Sequence, residues 1–360
     1  MSPHLRTSDF DFDLPADLIA QAPPAERGTS RLLHVDRAAG TVHDRSFGDL
    51  PSLLRPDDLL VLNDTRVFPA RLLGRRLPGG GAVECLLVGR VPDAPDAASD
   101  NETWSALVHP GQRLRPGTRL EFGEPTARLH GEVTGRHFHG RRTVRLWTAD
   151  GTPVRAAVHA LGHVPLPPYI RRADLDSDRE RYQTVYARHE GSIAAPTAGL
   201  HFTPEIFAAL AAAGVETATV TLHVGYGTFQ PVRAELIADH RMETEEYEVS
   251  ADSAAALTRA HAAGRRIVAV GTTSTRTLES LPLAPDGTVR AGRGSTDLFI
   301  APGHRFQLVG GLVTNFHVPR SSLLMLVSAF GGYDLVRRAY AHAVAARYRF
   351  YSYGDAMLIL

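Results

Sequence analysis

The sequence predicts an α/β core assembled from both ends of the chain, with an inserted all-β, barrel-like domain between its parts. Near both ends, apolar runs of strand length stop at polar or glycine-containing loops and alternate with helical stretches, the pattern of α/β layering. From about Leu72 to Leu146 the texture changes to short alternating runs separated by Gly, Pro and Asp, as in a small antiparallel barrel or sandwich. A chain of 360 residues that is 43% hydrophobic is also long enough to bury a sizeable core and divide into two domains. The reading places the core at residues 1–71 and 151–360 and the insert at 72–150.

Each element has a local reason. Pro15 to Ala20 reads as a short helix, followed by a Pro23-Pro24 turn, a strand at Leu32 to Asp36, and a hairpin through Gly40 into Thr41 to Asp44. The apolar run Leu59 to Leu62 reads as a buried strand that stops at Asn63-Asp64-Thr65-Arg66, a polar cluster where sites commonly sit. Within the insert, Val83 to Val88, Thr103 to Val108, Arg119 to Phe122 and Thr143 to Leu146 read as strands, and Arg90 to Asn101 as a solvated loop. Val154 to Leu161 reads as a helix leading to the rigid turn Pro165 to Tyr169. Thr203 caps a further helix with Pro204 in its first turn, where a missing N–H costs nothing, and Gly214 closes it. Three strand-then-loop units follow: Ala218 to Val224 into Gly225 to Gln230, Ile267 to Val270 into Gly271 to Ser274, and Leu312 to Thr314 into Asn315 to His317. A long helix, Tyr333 to Arg347, and a strand near Met357 to Ile359 finish the chain.

Composition removes several chemistries. One cysteine, Cys85, permits no internal disulfide and cannot supply the thiolates of a zinc ribbon or iron–sulfur cluster. Every basic residue is arginine, which excludes Schiff-base catalysis and a lysine general base. No apolar run reaches membrane-spanning length, and Met1 to Phe10 holds acidic and polar residues where a signal peptide needs an apolar core, so the expected address is the cytoplasm. Charge balances at 39 against 39, so nucleic-acid contact requires local clusters. Candidates are Arg71, Arg75 and Arg76; Arg171 and Arg172; and Arg337, Arg338, Arg347 and Arg349.

The loops at strand ends carry the candidate chemistry. Gly271 to Arg276 combines backbone N–H groups and hydroxyls ahead of a helix, suited to a carboxylate, ribose or phosphate, although capping alone also accounts for these residues. Gly225-x-Gly227 lacks the third glycine of a dinucleotide fingerprint, since position 230 is Gln230. Its glycines suit a close backbone approach to a ligand. His201, His223 and His317 stand at element ends without the spacing of a metal site, and no metal is expected.

In order, these segments resemble the S-adenosylmethionine:tRNA ribosyltransferase-isomerase family over essentially the whole chain. The matching strings include Asn63-Asp64-Thr65-Arg66-Val67-Phe68-Pro69-Ala70-Arg71-Leu72, Gly162 to Ile170, Tyr182-Gln183-Thr184-Val185-Tyr186 and Ala194 to Phe202. Thr221 to Val232, Val270 to Glu279, Leu312 to Pro319 and Tyr348 to Met357 continue the series. One departure lies after Asp239-His240, where the family usually shows Met-His-Ser-Glu and this chain has Met242-Glu243-Thr244-Glu245.

The resemblance implies transfer of the ribosyl portion of S-adenosylmethionine to 7-aminomethyl-7-deazaguanine at the wobble position of a tRNA. Epoxyqueuosine forms, and adenine and methionine leave. No cofactor is implied beyond S-adenosylmethionine as co-substrate, and the chain is expected to act as a monomer. Such a reaction demands a base for a proton acidified by the sulfonium, a donor for the departing adenine, and anchors for ribose and carboxylate. His201 and His223 are the first candidates for the base, His317 stands behind them, Asp64 is a candidate at the first strand's end, and Asp355 is a reserve acid. Substrate contacts are expected from Asn63, Thr65, Arg66, Thr197, Gly199, Gly225, Gly227, Gln230, Thr272, Thr273, Ser274, Arg276 and Asn315. The 195–202 stretch reads as a flexible loop that delivers His201. Two rivals are a methyltransferase acting on RNA, whose glycine-rich loop and following acidic residue are missing here, and a noncatalytic RNA-binding module built on the insert.

Overall fold

The computed structural model describes residues 5–91, 98–124, 127–137, 140–229 and 232–360. The strands are β1 (Arg31–Asp36), β2 (Thr41–Ser46), β3 (Leu59–Asn63), β4 (Thr65–Val67), β5 (Arg71–Leu77), β6 (Ala82–Arg90), β7 (Asn101–His109), β8 (Arg119–Glu124) and β9 (Ala127–Arg136). They continue with β10 (Arg141–Trp147), β11 (His189–Ser192), β12 (Glu216–Leu222), β13 (Glu245–Val249), β14 (Ile267–Val270), β15 (Gly292–Thr296), β16 (Val309–Asn315) and β17 (Ala356–Ile359). The helices are α1 (Leu50–Leu53), α2 (Val154–Leu161), α3 (Asp178–Arg181), α4 (Pro204–Ala212), α5 (Ala251–Ala262), α6 (Gly271–Ser280), α7 (Ser322–Gly331) and α8 (Tyr333–Ala345).

A mixed sheet in the order β15-β13-β12-β3-β14-β16-β17-β1-β2 forms the core. Its central strands are continuous apolar runs buried along their whole length, as Leu59–Asn63 and Ile267–Val270 are, because both faces are covered. Alternate side chains go to opposite layers. Leu59, Val61, Ile267, Ala269 and Leu312 pack with residues of α5 to α8, whereas Leu60, Leu62, Val268, Val270 and Val313 pack with Leu50, Ile206 and Leu210 of α1 and α4. Strands β12, β3, β14 and β16 run parallel, and β17 runs antiparallel to β16 and parallel to β1. One sheet edge therefore gathers the C-terminal ends of the four parallel strands and the N-terminal ends of β17 and β1. Ligands of open α/β sheets bind at such an edge.

Strands β10-β7-β6-β5-β8-β9 close into a barrel. The alternation of buried and half-buried positions along β7 and β10 is the pleat of strands with one face inside. Contacts group the chain into one compact unit of Met1–Arg66, Pro167–Arg172 and Arg181–Leu360, and another of Val67–Leu166 with Ala173–Glu180. The barrel's unit thus runs past residue 150, where the sequence reading closes the insert. The reason is α2, which buries Val154, Ala157 and Val158 and whose Val154 N–H donates to the Ser99 carbonyl at 2.7 Å. Most of the loop between Arg90 and Asn101, residues 92–97, lies outside the described residues.

Helix α4 follows its sequence signals. The Thr203 hydroxyl accepts from Ile206 N–H, Pro204 occupies the first turn, and Gly214 takes a left-handed φ of 78° after it. The opening segment differs from expectation: Ala16–Leu18 forms only a 3-10 turn.

Candidate active site

Asn63 anchors the sheet edge. From the end of β3 its amide NH2 donates to the Leu222 carbonyl at 3.0 Å and to the Thr273 hydroxyl at 3.1 Å. Its carbonyl oxygen accepts from Leu222 N–H at 3.0 Å and Thr65 N–H at 3.2 Å. One buried amide thereby ties β3, β12 and α6 together, and its hydrogen-bonding capacity is spent on the fold. Beside it, Thr65 meets Ser192 at 2.7 Å and His223 Nδ1 at 2.9 Å, and the Thr221 hydroxyl donates to buried Asp64 at 2.6 Å.

A cavity of about 280 Å³ opens at this edge. The 194–198 turn, the first turn of α6, the end of β16, Tyr169, and the 351–352 pair wall it. Its described lining residues include no Asp, Glu or Arg; besides the hydroxyls of Tyr169 and Tyr351, the polar side chains are Thr197, Thr272, Thr273, Thr314, Asn315, His317, Ser321 and Ser352. No side chain caps α6, whose first-turn residues Gly271, Thr272 and Thr273 line the wall. Uncapped first-turn N–H groups are the usual carboxylate-binding element of such an edge. The Tyr169 and Tyr351 rings lie 4.6 Å apart, and the Tyr169 hydroxyl pairs with Ser352 at 2.6 Å. Burial pushes the Tyr169 phenol up to about 12. A larger, mostly apolar cavity of about 390 Å³ lies between residues 9–13 and helices α7 and α8, away from the strand ends and without a histidine in its lining.

Among the three candidate histidines, His317 lines the cavity. Its Nε2 sits 2.8 Å from the Thr314 hydroxyl, and its backbone N–H donates to the Tyr340 hydroxyl at 3.0 Å. Burial depresses its pKa to about 3, so the ring is neutral at physiological pH.

The structure reorders the other expectations. His201 does not present a free nitrogen to this cavity. It is buried, Nδ1 pairs with Ser30 at 2.9 Å, Nε2 pairs with the Asn315 amide at 3.2 Å, and the ring packs on Phe47 at 5.0 Å. Burial, reinforced by Arg349 and Arg27, holds its pKa at about 3. The segment carrying it is an ordered 3-10 turn, Thr197–His201, and not the flexible loop expected; Ala198, Gly199, Leu200 and His201 are all buried. Gly199 packs so closely on Tyr186 that an added Cβ would overlap the phenol oxygen. His223 is half-buried outside the cavity lining, its pKa lowered chiefly by burial against the opposing pull of Glu246.

Arg276 is likewise no free anion binder. It is buried in an ion pair with Glu245, and its Nε and Nη2 donate to the carbonyls of Leu298 and Thr296. Ser274 returns its hydroxyl to the Val270 carbonyl at 2.8 Å. Asp355 lies outside the cavity lining and accepts from Arg31 N–H at 3.0 Å and Arg349 N–H at 2.8 Å. Gly225 N–H donates to Glu245 at 2.9 Å, and the Cα of Gly227 packs near Glu243. Arg66 is exposed, and Gln230 lies outside the described residues. Of the arginine clusters, Arg71 pairs with Glu84, Arg75 with Glu121 and Arg347 with Asp17. Thr197, Thr272, Thr273, Asn315 and His317 are the candidates that share the cavity, and sequence reasoning missed Tyr169, Tyr351, Ser321 and Ser352. The matched string Tyr348 to Met357 held the only signal for two of these.

Among the described residues no helix is long and apolar enough to cross a membrane, and no group of three metal-ligating side chains occurs. The profile of the family described as "Queuosine biosynthesis protein" matches residues 7–359. The chain is 53% identical over 356 residues to the S-adenosylmethionine:tRNA ribosyltransferase-isomerase of Symbiobacterium thermophilum, covering 99% of this chain and 100% of that protein. It is 51% identical over 373 residues to the enzyme of the same name from Solibacter usitatus, again covering 99% and 100%. A crystal structure of S-adenosylmethionine tRNA ribosyltransferase from Thermotoga maritima is similar with a TM-score of 0.54 at 38% identity, covering 98% of this chain and 100% of that one. Relatedness of this extent, together with a sheet edge built from the matched strings, places the chain in the S-adenosylmethionine:tRNA ribosyltransferase-isomerase family of queuosine biosynthesis.

Proposed function

We propose that the chain transfers and isomerises the ribosyl portion of S-adenosylmethionine onto the aminomethyl group of 7-aminomethyl-7-deazaguanine at a tRNA wobble position. Epoxyqueuosine forms and adenine and methionine leave. The observation that carries the reading is the match, over nearly the whole of both chains, to relatives bearing that enzyme's name. The cavity's chemistry supports it. With Nε2–H donating to Thr314, His317 offers the Nδ1 lone pair to a proton acidified by the neighbouring sulfonium. Burial keeps the ring neutral, so that lone pair is unprotonated at physiological pH. The first turn of α6, with Thr272 and Thr273, receives the methionine carboxylate. In this reading S-adenosylmethionine is a co-substrate, no further cofactor takes part, and the enzyme works as a monomer in the cytoplasm.

The test is to incubate the protein with S-adenosylmethionine and tRNA carrying the precursor base and to analyse the small molecules released. Free adenine is expected. S-adenosylhomocysteine would instead establish methyl transfer, and no turnover would establish a binding protein.

A further inference from the structure

Arginine carries every permanent positive side-chain charge of this chain, and in several places a carboxylate cancels it, as Asp17 does for Arg347 and Asp11 for Arg320. Arg181 is held differently. Its Nη1 donates to the Ala25 carbonyl at 3.0 Å and its Nη2 to the Pro24 carbonyl at 2.5 Å, acceptors that carry no formal charge. Its Nε makes no hydrogen bond and keeps accessible surface. Neutral groups thus fix the guanidinium in place while leaving its charge intact and a donor open.

Arg181 lines a shallow cleft of about 20 Å³ together with Arg27 and the 352–354 turn, and no Asp or Glu occurs among the described lining residues. Arg27 Nη1 also donates to backbone carbonyls, those of Gln183 at 2.8 Å and Leu200 at 3.2 Å. Arg349 adds a further charge nearby. Its side chain makes no hydrogen bond, and Asp355 Oδ1, which already accepts from Arg31 N–H, is 3.7 Å away. The positive field reaches His201, another lining residue, because Arg349 and Arg27 both add to the burial that keeps its ring neutral.

The cleft and the larger cavity share Ser352. No Asp, Glu or Arg lines the cavity among its described residues, so a polyanion reaching into it must be neutralised at the rim. The cleft has room for an oxygen or two and too little for a base or a sugar, which suits the outer oxygens of a phosphodiester. Planar guanidinium groups match such oxygens in charge and geometry.

Resting on the ribosyl-transfer reading above, we propose that this cleft binds a backbone phosphate of the tRNA, one flanking the wobble nucleotide. Arg181 donates to the phosphate oxygens, and Arg27 and Arg349 supply further positive charge. The contact sets the register of the strand on the protein and carries no base preference.

The experiment measures binding of an anticodon stem–loop RNA by fluorescence anisotropy over a salt series. The phosphates on either side of the wobble nucleotide are replaced one at a time by uncharged methylphosphonates. Wild type should lose about tenfold in affinity for one of the two replacements, and the slope of log affinity against log salt should become shallower by about 0.7 to 1. Arg181→Gln should show the same loss on the natural RNA and respond by about twofold or less to that methylphosphonate, while S-adenosylmethionine affinity, measured by calorimetry, stays within about threefold. Arg349→Gln removes a side chain that makes no hydrogen bond in the fold, and it should lower affinity by about threefold and flatten the slope in the same direction, whether or not Arg181→Gln folds. Indifference of wild type to both methylphosphonates overturns the inference, as do unchanged slopes in the variants or a methylphosphonate penalty that persists undiminished in Arg181→Gln. Adenine release by wild type from precursor tRNA alongside any of these outcomes leaves the ribosyl-transfer reading standing. The predicted binding pattern without adenine release would keep the phosphate site and remove the reaction, and absence of both RNA binding and release would remove both.

Discussion

Lowering the pH from 7.5 to 5 should cost this protein about 4 kcal/mol of stability, through two histidines. In the unfolded chain a histidine titrates near 6.5. In the fold, burial holds His201 and His317 at about 3. The unfolded state therefore binds more protons between those values, so the stability present above pH 6.5 is lost as pH falls toward 3. At pH 5 the unfolded form of each residue gains a factor of about 30, or roughly 2 kcal/mol, and this hardly changes for any native value below 4. His34, His223 and His240, also depressed by burial, act in the same direction. Carboxylates held below their ordinary range, such as Asp44, lose their contribution only at lower pH. Urea unfolding followed by far-ultraviolet circular dichroism should show the midpoint falling by about 1–2 M across this range, for a slope of 2–3 kcal/mol/M. His201→Gln and His317→Gln should each remove about half of the effect. A midpoint flat between pH 5 and 7.5, or an unchanged pH dependence in both variants, would refute the argument from burial.

Other consequences are as specific. His317→Ala should slow single-turnover adenine release by about 10²–10⁴-fold while S-adenosylmethionine affinity, measured by calorimetry, changes only a few-fold; an unchanged rate would remove the base from this position. Gly199→Ala should destabilise by about 1–3 kcal/mol in chemical denaturation, because the added methyl overlaps the Tyr186 hydroxyl, and Tyr186→Phe in the same chain should recover part of the loss. Breaking the buried Arg276–Glu245 pair from one side, as in Glu245→Gln, should cost about 3–5 kcal/mol, whereas replacing both partners with apolar residues should cost less than the sum of the singles.

Most of the core was legible because its strands are buried on both faces. Runs such as Leu59 to Leu62 and Ile267 to Val270 have no competing interpretation once flanked by Asn63-Asp64 and Gly271-Thr272. Barrel strands were readable from alternation, as in Thr103 to Val108. The site was less legible, since a side chain's role depends on partners far away in the chain. His201 was ranked above His317 on chemistry and position along the chain, but its partners Ser30 and Asn315 lie 171 and 114 residues away and fill both ring nitrogens. Arg276 looked like an anion binder until the strand carrying Glu245 supplied its counterion. Nothing local marked Tyr351 as a cavity wall with φ of 74°, a conformation that tyrosine seldom takes.

The central claim is that the sugar of S-adenosylmethionine, and not its methyl group, reaches the tRNA. Two preparations of S-adenosylmethionine, one with heavy carbon in the ribose and one with heavy carbon in the methyl group, should be offered to precursor tRNA, and the digested nucleosides weighed by mass spectrometry. The account predicts that ribose label enters the modified nucleoside while methyl label leaves with methionine. Methyl label in the tRNA, or ribose label remaining entirely with the small molecules, would contradict it.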